Sequence, residues 1–175
     1  EAVPNANYLW INLFATSLAK KGRAALVMAN SASDARHSEA DIRRTLIEKN
    51  LIAGMLTLPS NMFYTVTLPA TLWFFDRAKP DDRILFIDAR NIFTPIDRAH
   101  REFSDEQVAN IAVINALRHG QRGRFVRVID RYFAEGMQRL RENKTRVEPV
   151  SAQLIDVLAD AVGKEAVGGL VAQWS

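Results

Sequence analysis

The sequence predicts an α/β protein, a partial doubly wound sheet of about four strands followed by a C-terminal helical region. Three observations carry that prediction. In the first hundred residues, short apolar runs bounded by glycine, proline or polar residues alternate with helical periodicities. The links between them are short, so strand, helix and strand form a crossover unit with parallel strands. Beyond Arg90 the chain turns helical, with apolar residues recurring at three- and four-residue spacing.

Each element has its own warrant. Asn5 to Lys20 reads as a helix with Leu9, Leu13, Phe14 and Leu18 inward and Gly22 as a left-handed cap. Arg23 to Ala29 is an apolar run of the kind buried on both faces. A polar loop, Asn30 to His37, leads to a helix from Ser38, with Asp41 in capping-box position and Ile42, Leu46 and Ile47 as its apolar face. Ile52 to Leu58, Ala70 to Asp76 and Ile84 to Asp88 are the other strands. The stretch from Leu58 to Ala70 holds two prolines and no helical period, so its two strands are expected to be antiparallel neighbours. A mostly parallel sheet ending in an antiparallel strand follows. Four strands are few for this architecture, and the others are expected to precede Glu1.

The helical region starts at Ser104-Asp105-Glu106-Gln107, a capping box, and its first helix runs to about Arg118 with Val108, Ile111 and Ala112 along one side. A second spans about Arg124 to Asn143, weakened at Gly136, with Val128, Ile129, Tyr132, Phe133, Met137 and Leu140 as its stripe. A third begins at Ser151, turns Leu154, Val157, Leu158 and Ala161 inward and stops at Gly163, and the tail to Trp174 adds a short turn. The expected division is 1–100 for the sheet and 101–175 for the helices.

Composition narrows the function. The chain has 175 residues, 48% hydrophobic and 25% charged, a balance that favours a packed globular domain over disorder. Without cysteine there is no disulfide, thiolate zinc site or cysteine nucleophile. No apolar run reaches the length of a membrane span and no secretory signal opens the chain, so no membrane association and a cytoplasmic location are expected. An opening without Met suggests a piece of something longer. Charge is uneven: residues 118 to 146 carry nine Lys/Arg against three acids, whereas residues 147 to 175 carry one Lys and four acids. The basic stretch reads either as a phosphate-binding surface, with Arg118, Arg122, Arg124, Arg127 and Arg131 as its candidates, or as a solvated helix face.

Catalytic signatures are sparse. No glycine-rich phosphate loop follows a strand, and no serine sits in a nucleophile elbow. His37, His100 and His119 are isolated, which predicts surface or capping roles and no metal site. Asp76, Asp88 and Asp97 fall at strand ends or loops, where turn and ion-pair roles compete with functional ones. The unusual segment is Leu58 to Pro69, which places Met62, Phe63 and Tyr64 in a loop that ought to be polar. Such rings either stack on a flat ligand such as a base or plug the core beneath the loop.

Several stretches together carry a family resemblance. "DIRRTLIEKN", "LPSNMFY", "LPATLWFF" and "ILFIDAR", in that order within residues 4 to 115, resemble the methylation (modification) subunit of type I restriction-modification systems. These are adenine-specific DNA methyltransferases that use S-adenosylmethionine. The resemblance implies a Rossmann-like methyltransferase sheet, here its C-terminal half. The family's glycine-rich cofactor loop and Asn-Pro-Pro-Phe motif do not occur in this sequence. The implied chain is therefore a fragment without catalytic residues, inactive alone.

By the same resemblance Phe63, and after it Tyr64, supply the ring that stacks on a base flipped out of the duplex, and Asn30 lines the target pocket. The implied partners are DNA and the specificity and restriction subunits, with helices from Ser104 onward as subunit contacts. An uncovered sheet edge could also pair with a second copy of the chain. The alternative is a non-catalytic module that only binds DNA or other subunits.

Overall fold

A computed structural model describes residues 5–172. These form two compact units, one ending at Asn115 and one beginning at Ala116.

The first unit is built on a four-stranded sheet. Its strands are β1 (Arg23–Ala29), β2 (Ile52–Thr57), β3 (Ala70–Asp76) and β4 (Leu85–Asp88), ordered β1-β3-β2-β4. β3 is antiparallel to both β1 and β2, and β4 is parallel to β2. Three strands therefore run one way and β3 the other, as expected for a mostly parallel sheet. The antiparallel strand does not end the sheet, however. It is inserted between β1 and β2, where Trp73 and Phe75 gain neighbours on both sides and become fully buried.

Two helices cover one face. α1 (Ala6–Thr16) is capped by the Asn5 side chain, which accepts from the Asn7 N–H at 3.0 Å. α2 (Ser38–Glu48) makes the crossover from β1 to β2. Tyr8, Ile11 and Ala15 of α1 and Leu46 of α2 close over Met28, Ile52, Trp73 and Phe75. The opposite face holds a smaller cluster, in which Leu56, Leu58, Ala70 and Ala89 pack with Met62, Phe103 and Ile111.

Four local expectations need correction. In α1 the buried stripe is Tyr8, Ile11, Ala15 and Leu18, leaving Leu9 and Leu13 exposed. The helix is apolar nearly all round, so periodicity alone does not select its inner face. Gly22 is not a left-handed cap: its φ is not positive, and the helix ends at Ser17. A side chain at Gly22 would instead bring Cβ to 2.8 Å from the Ala19 nitrogen, too close for any residue but glycine. No capping box forms at Ser38, which lies inside α2 and bonds Glu39, while His37 with φ 58° takes the cap position. Finally, β1 is not buried on both faces. It is an edge strand, and Val27 is 48% exposed on the face that α1 and α2 do not cover.

A hairpin of β5 (Thr94–Pro95) and β6 (Arg101–Glu102) precedes α3 (Asp105–Arg118). The expected capping box is present and reciprocal: Gln107 N–H donates to Ser104 Oγ at 3.2 Å, and Ser104 N–H to Gln107 Oε1 at 2.9 Å. Within α3 the buried positions are Val113 and Ala116, whereas Val108 is exposed.

In the second unit the two expected helices are one. α4 (Arg122–Val162) runs for 41 residues through both Gly136 and Pro149, about 60 Å of helix. Proline removes one backbone bond, but favourable helix formers on both sides carry the turn across it. None of α4 is buried, so Leu154, Val157, Leu158 and Ala161 do not point into a core. Gly163, with φ 92°, ends the helix as expected, and α5 (Lys164–Ala172) packs on α4 and buries Val167. Trp174 lies outside the described residues.

Candidate nucleic-acid interface

The carboxyl ends of β1, β2 and β4 share one edge of the sheet, the edge where open α/β sheets bind ligands. Asn30 follows β1 there and the Leu58–Pro69 loop follows β2. The loop's ends are pinned by the sheet itself: Leu58 N–H donates to Ala70 O at 2.8 Å, and Asn30 N–H to Pro69 O at 3.4 Å. Asn30 and the aromatic loop thus rise from adjacent points.

Within the loop the three large residues divide the work. Met62 is the core plug, packed against Leu56, Leu58 and Ala70. Phe63 begins a tight turn, with Val66 N–H donating to its carbonyl at 3.2 Å, and its ring is 41% exposed. Tyr64 stands at the tip of that turn, 90% exposed. An unbranched, flexible side chain suits an irregular gap, so Met62 anchors the loop and frees Phe63 and Tyr64 from the core.

The β5–β6 hairpin braces the same loop. Arg101 donates its backbone N–H to Asn61 O at 3.0 Å and a guanidinium N–H to Ser60 Oγ at 3.1 Å. Its guanidinium also lies 4.0 Å over the Phe93 ring. In the hairpin turn, His100 Nδ1 meets Asp97 Oδ2 at 2.7 Å, and the His100 and Tyr64 ring centroids are 4.5 Å apart. Asp97 also accepts the backbone N–H of Ala99 and of His100, and these bonds, that from the His100 side chain foremost, hold its pKa below the ordinary carboxylate value. Read as an isolated histidine, His100 offered no signal in the sequence. Only the fold brings it to Tyr64, 36 positions earlier.

Asn30 has a second neighbourhood. Its side-chain oxygen accepts from Thr71 Oγ1 at 2.8 Å, which leaves the amide N–H donors for a ligand. It also lines one end of a groove of about 460 Å³ between α2 and the β2–β4 edge, with Arg43, Met55, Trp73 and Phe86. Phe63 and Tyr64 are not among its walls. At its rim Asp88 is clasped by Arg90, whose hydrogen bond pulls the carboxyl pKa down to about 2. Asp76, by contrast, lies at the other end of the sheet, tied to Arg23 at 2.8 Å.

The candidate arginines sort by element. Arg118 closes α3, and Arg122, Arg124, Arg127 and Arg131 are exposed on α4. Helical spacing puts Arg124, Arg127 and Arg131 on one stripe and Arg122 off it. On the opposite side Val126, Phe133, Leu140, Val147 and Leu154 repeat every seven residues, all exposed. A seven-residue apolar repeat is the pattern of a helix that supercoils with another. Among the described residues no group of three or more His, Asp or Glu is placed to hold a metal.

The mostly parallel sheet, with α2 crossing over from β1 to β2 on the face that α1 also covers, has the Rossmann-like fold of methyltransferases. The likeness to the methyltransferase subunit of a type I restriction-modification system from Streptococcus thermophilus agrees, with a TM-score of 0.60 at 22% identity over 66% of this chain and 24% of that one. Over residues 2–132 the sequence matches the N-6 DNA Methylase family, and the chain belongs to it. It is similar to the type I restriction enzyme MjaIX methylase subunit of Methanocaldococcus jannaschii, 40% identical over 110 residues, 61% of this chain and 20% of the relative. The HindI methylase subunit of Haemophilus influenzae is 37% identical over 110 residues, 62% of this chain and 25% of its own length. The chain thus spans a fifth to a quarter of the length of these relatives.

Proposed function

We propose that this chain is the part of a type I restriction-modification subunit, an adenine-specific DNA methyltransferase, that walls the target base. Phe63 carries the reading. An adenine amino group inside a duplex is out of reach, so the nucleotide must be extruded, and the extruded ring needs a flat apolar wall. Phe63 is a half-exposed ring at the ligand edge of the sheet, on a loop whose neighbour Met62 is fastened in the core. Tyr64 extends that wall, and the Asn30 amide supplies polar contact at the adjacent strand end.

The chain's own residues do not fit S-adenosylmethionine. Asn30, Leu58 and Ala89 follow β1, β2 and β4, and none is the glycine that lets a backbone close on a cofactor. In this reading the cofactor loop and the Asn-Pro-Pro-Phe motif belong to the remainder of the subunit, no catalytic residue lies here, and the chain alone neither binds the cofactor nor transfers a methyl group. The free edge of β1, with Val27 and Phe74 exposed beside it, then takes the strands of that remainder, or a second copy when the chain is alone. The apolar stripe of α4 docks on the specificity subunit, and the complex, which includes the restriction subunit, works in the cytoplasm. Arg118, Arg122, Arg124, Arg127 and Arg131 serve DNA phosphates, which net positive charge favours.

The test is Phe63→Ala in the whole subunit. Loss of one base-stacking contact, about 1–3 kcal/mol, is expected as slower methylation with the fold intact. Lost folding, with unchanged chemistry in the folded remainder, would return Phe63 to the core. Undiminished methylation together with DNA binding by this chain favours the non-catalytic module. Heat of binding between this chain and S-adenosylmethionine would overturn the division of labour.

A further inference from the structure

Resting on that reading, we propose that His100, oriented by Asp97 and in tilted contact with Tyr64, is a DNA-positioning residue whose Nε2 grips a backbone phosphate beside the extruded adenine. Three features support it. Nδ1 is committed to the Asp97 carboxylate at 2.7 Å, so Nε2 is the ring nitrogen left to donate to a ligand. The carboxylate is itself held by two backbone N–H groups, of Ala99 and His100, at 2.7 and 2.8 Å, which fixes the ring's direction as in other oriented histidines. The ring is also packed at 4.5 Å against Tyr64, the residue next to Phe63, so His100 stands beside the place where the base is walled.

The charge around it suits a phosphate. Asp97 and Tyr64 are the titratable groups in contact with the imidazole. Nearby on the hairpin, Arg98 is exposed in the same turn, Arg101 braces the loop, and Glu102 opposes Thr94. A phosphate bridging Nε2–H and the neighbouring Arg98 gains a charge-assisted hydrogen bond. Tyr64, 90% exposed beside the imidazole, offers its ring to a flanking base. Extrusion leaves the phosphates on both sides of the flipped nucleotide strained, so fixing one of them positions the base against Phe63.

The experiment measures binding of the 175-residue chain to a fluorescent duplex with one bulged adenine, by anisotropy across salt. His100→Ala is expected to lower affinity several-fold, and His100→Gln, which keeps a side-chain N–H, to recover part of the loss. His100→Arg restores affinity and steepens the salt slope by about one. Wild-type affinity and salt profile in His100→Ala would overturn the role of His100. If that profile persists while Phe63→Ala weakens binding, the base-wall reading survives and only this inference falls. Equal affinity for bulged and plain duplexes in every variant, or no binding at all, removes both.

Discussion

The two units of the chain bury their apolar residues very differently. In the first, Tyr8, Ile11, Trp73 and Phe75 are almost wholly enclosed by a sheet and two helices. In the second, α4 has a seven-residue apolar repeat as regular as any core pattern, yet no residue of its 41 is buried. Similar hydrophobic content therefore has different meanings. Where strands supply a surface to pack on, it makes a core. Where a single long helix presents it, the stripe is an invitation to another helix, and stability must come from local helix propensity until one arrives.

Four experiments break or sharpen that contrast, from the largest expected effect downward. Phe75→Ala empties the centre of the first core and is expected to cost about 3–5 kcal/mol. Thermal melts followed by circular dichroism should show the sheet unit failing early while α4 keeps its helical signal; joint collapse would mean that the contrast is false. Pro149→Ala restores a missing backbone bond inside α4 and is expected to strengthen it by up to about 3 kcal/mol, read as added helicity. No gain would mean that the helix already bends there at little cost.

Paired Leu140→Glu and Leu154→Glu changes fall on the exposed stripe and should move the melting of the isolated chain by no more than about 0.5 kcal/mol each. The same changes should abolish association with a specificity subunit in pull-down. A large loss of stability in the isolated chain would show that the stripe is already covered.

The smallest effect concerns acid. Asp88 has its pKa lowered from 3.8 to about 2, chiefly by the Arg90 hydrogen bond, and that of Asp97 is lowered too, chiefly by His100. Folded values below the unfolded ones mean that the stabilisation is present above the ordinary carboxylate pKa. It is lost as pH falls through the folded values. Both carboxylates are exposed, so a slight loosening of the first unit is expected below about pH 4. Side-chain carboxyl NMR shifts would follow it, and titration of both groups at ordinary values would contradict the two contacts.

Much of the architecture was legible because local chemistry decides it. β1 and β3 begin and end where their apolar runs do, and Ser104 with Gln107 forms the cap that its spacing announces. Met62, Phe63 and Tyr64 stood out because bulky residues are out of place in a loop, although their order, one anchor and two exposed rings, was not readable from three adjacent apolar letters. The two helices expected on either side of residues 144–150 are one, because the single backbone bond that Pro149 removes does not end a helix of 41 residues.

By itself, then, the sequence determined the four strands of the sheet and most of the helices, the lack of thiol or phosphate-loop chemistry, and the family. Those properties depend on composition, short-range periodicity and motif order. Tertiary structure alone decided that β3 enters between β1 and β2, that α1 turns Tyr8 rather than Leu9 inward, and that His100 comes to rest on Tyr64. Each of these is a choice between surfaces of nearly equal hydrophobicity or between residues distant along the chain. Such choices are settled by which packing encloses the most apolar area while leaving polar groups bonded.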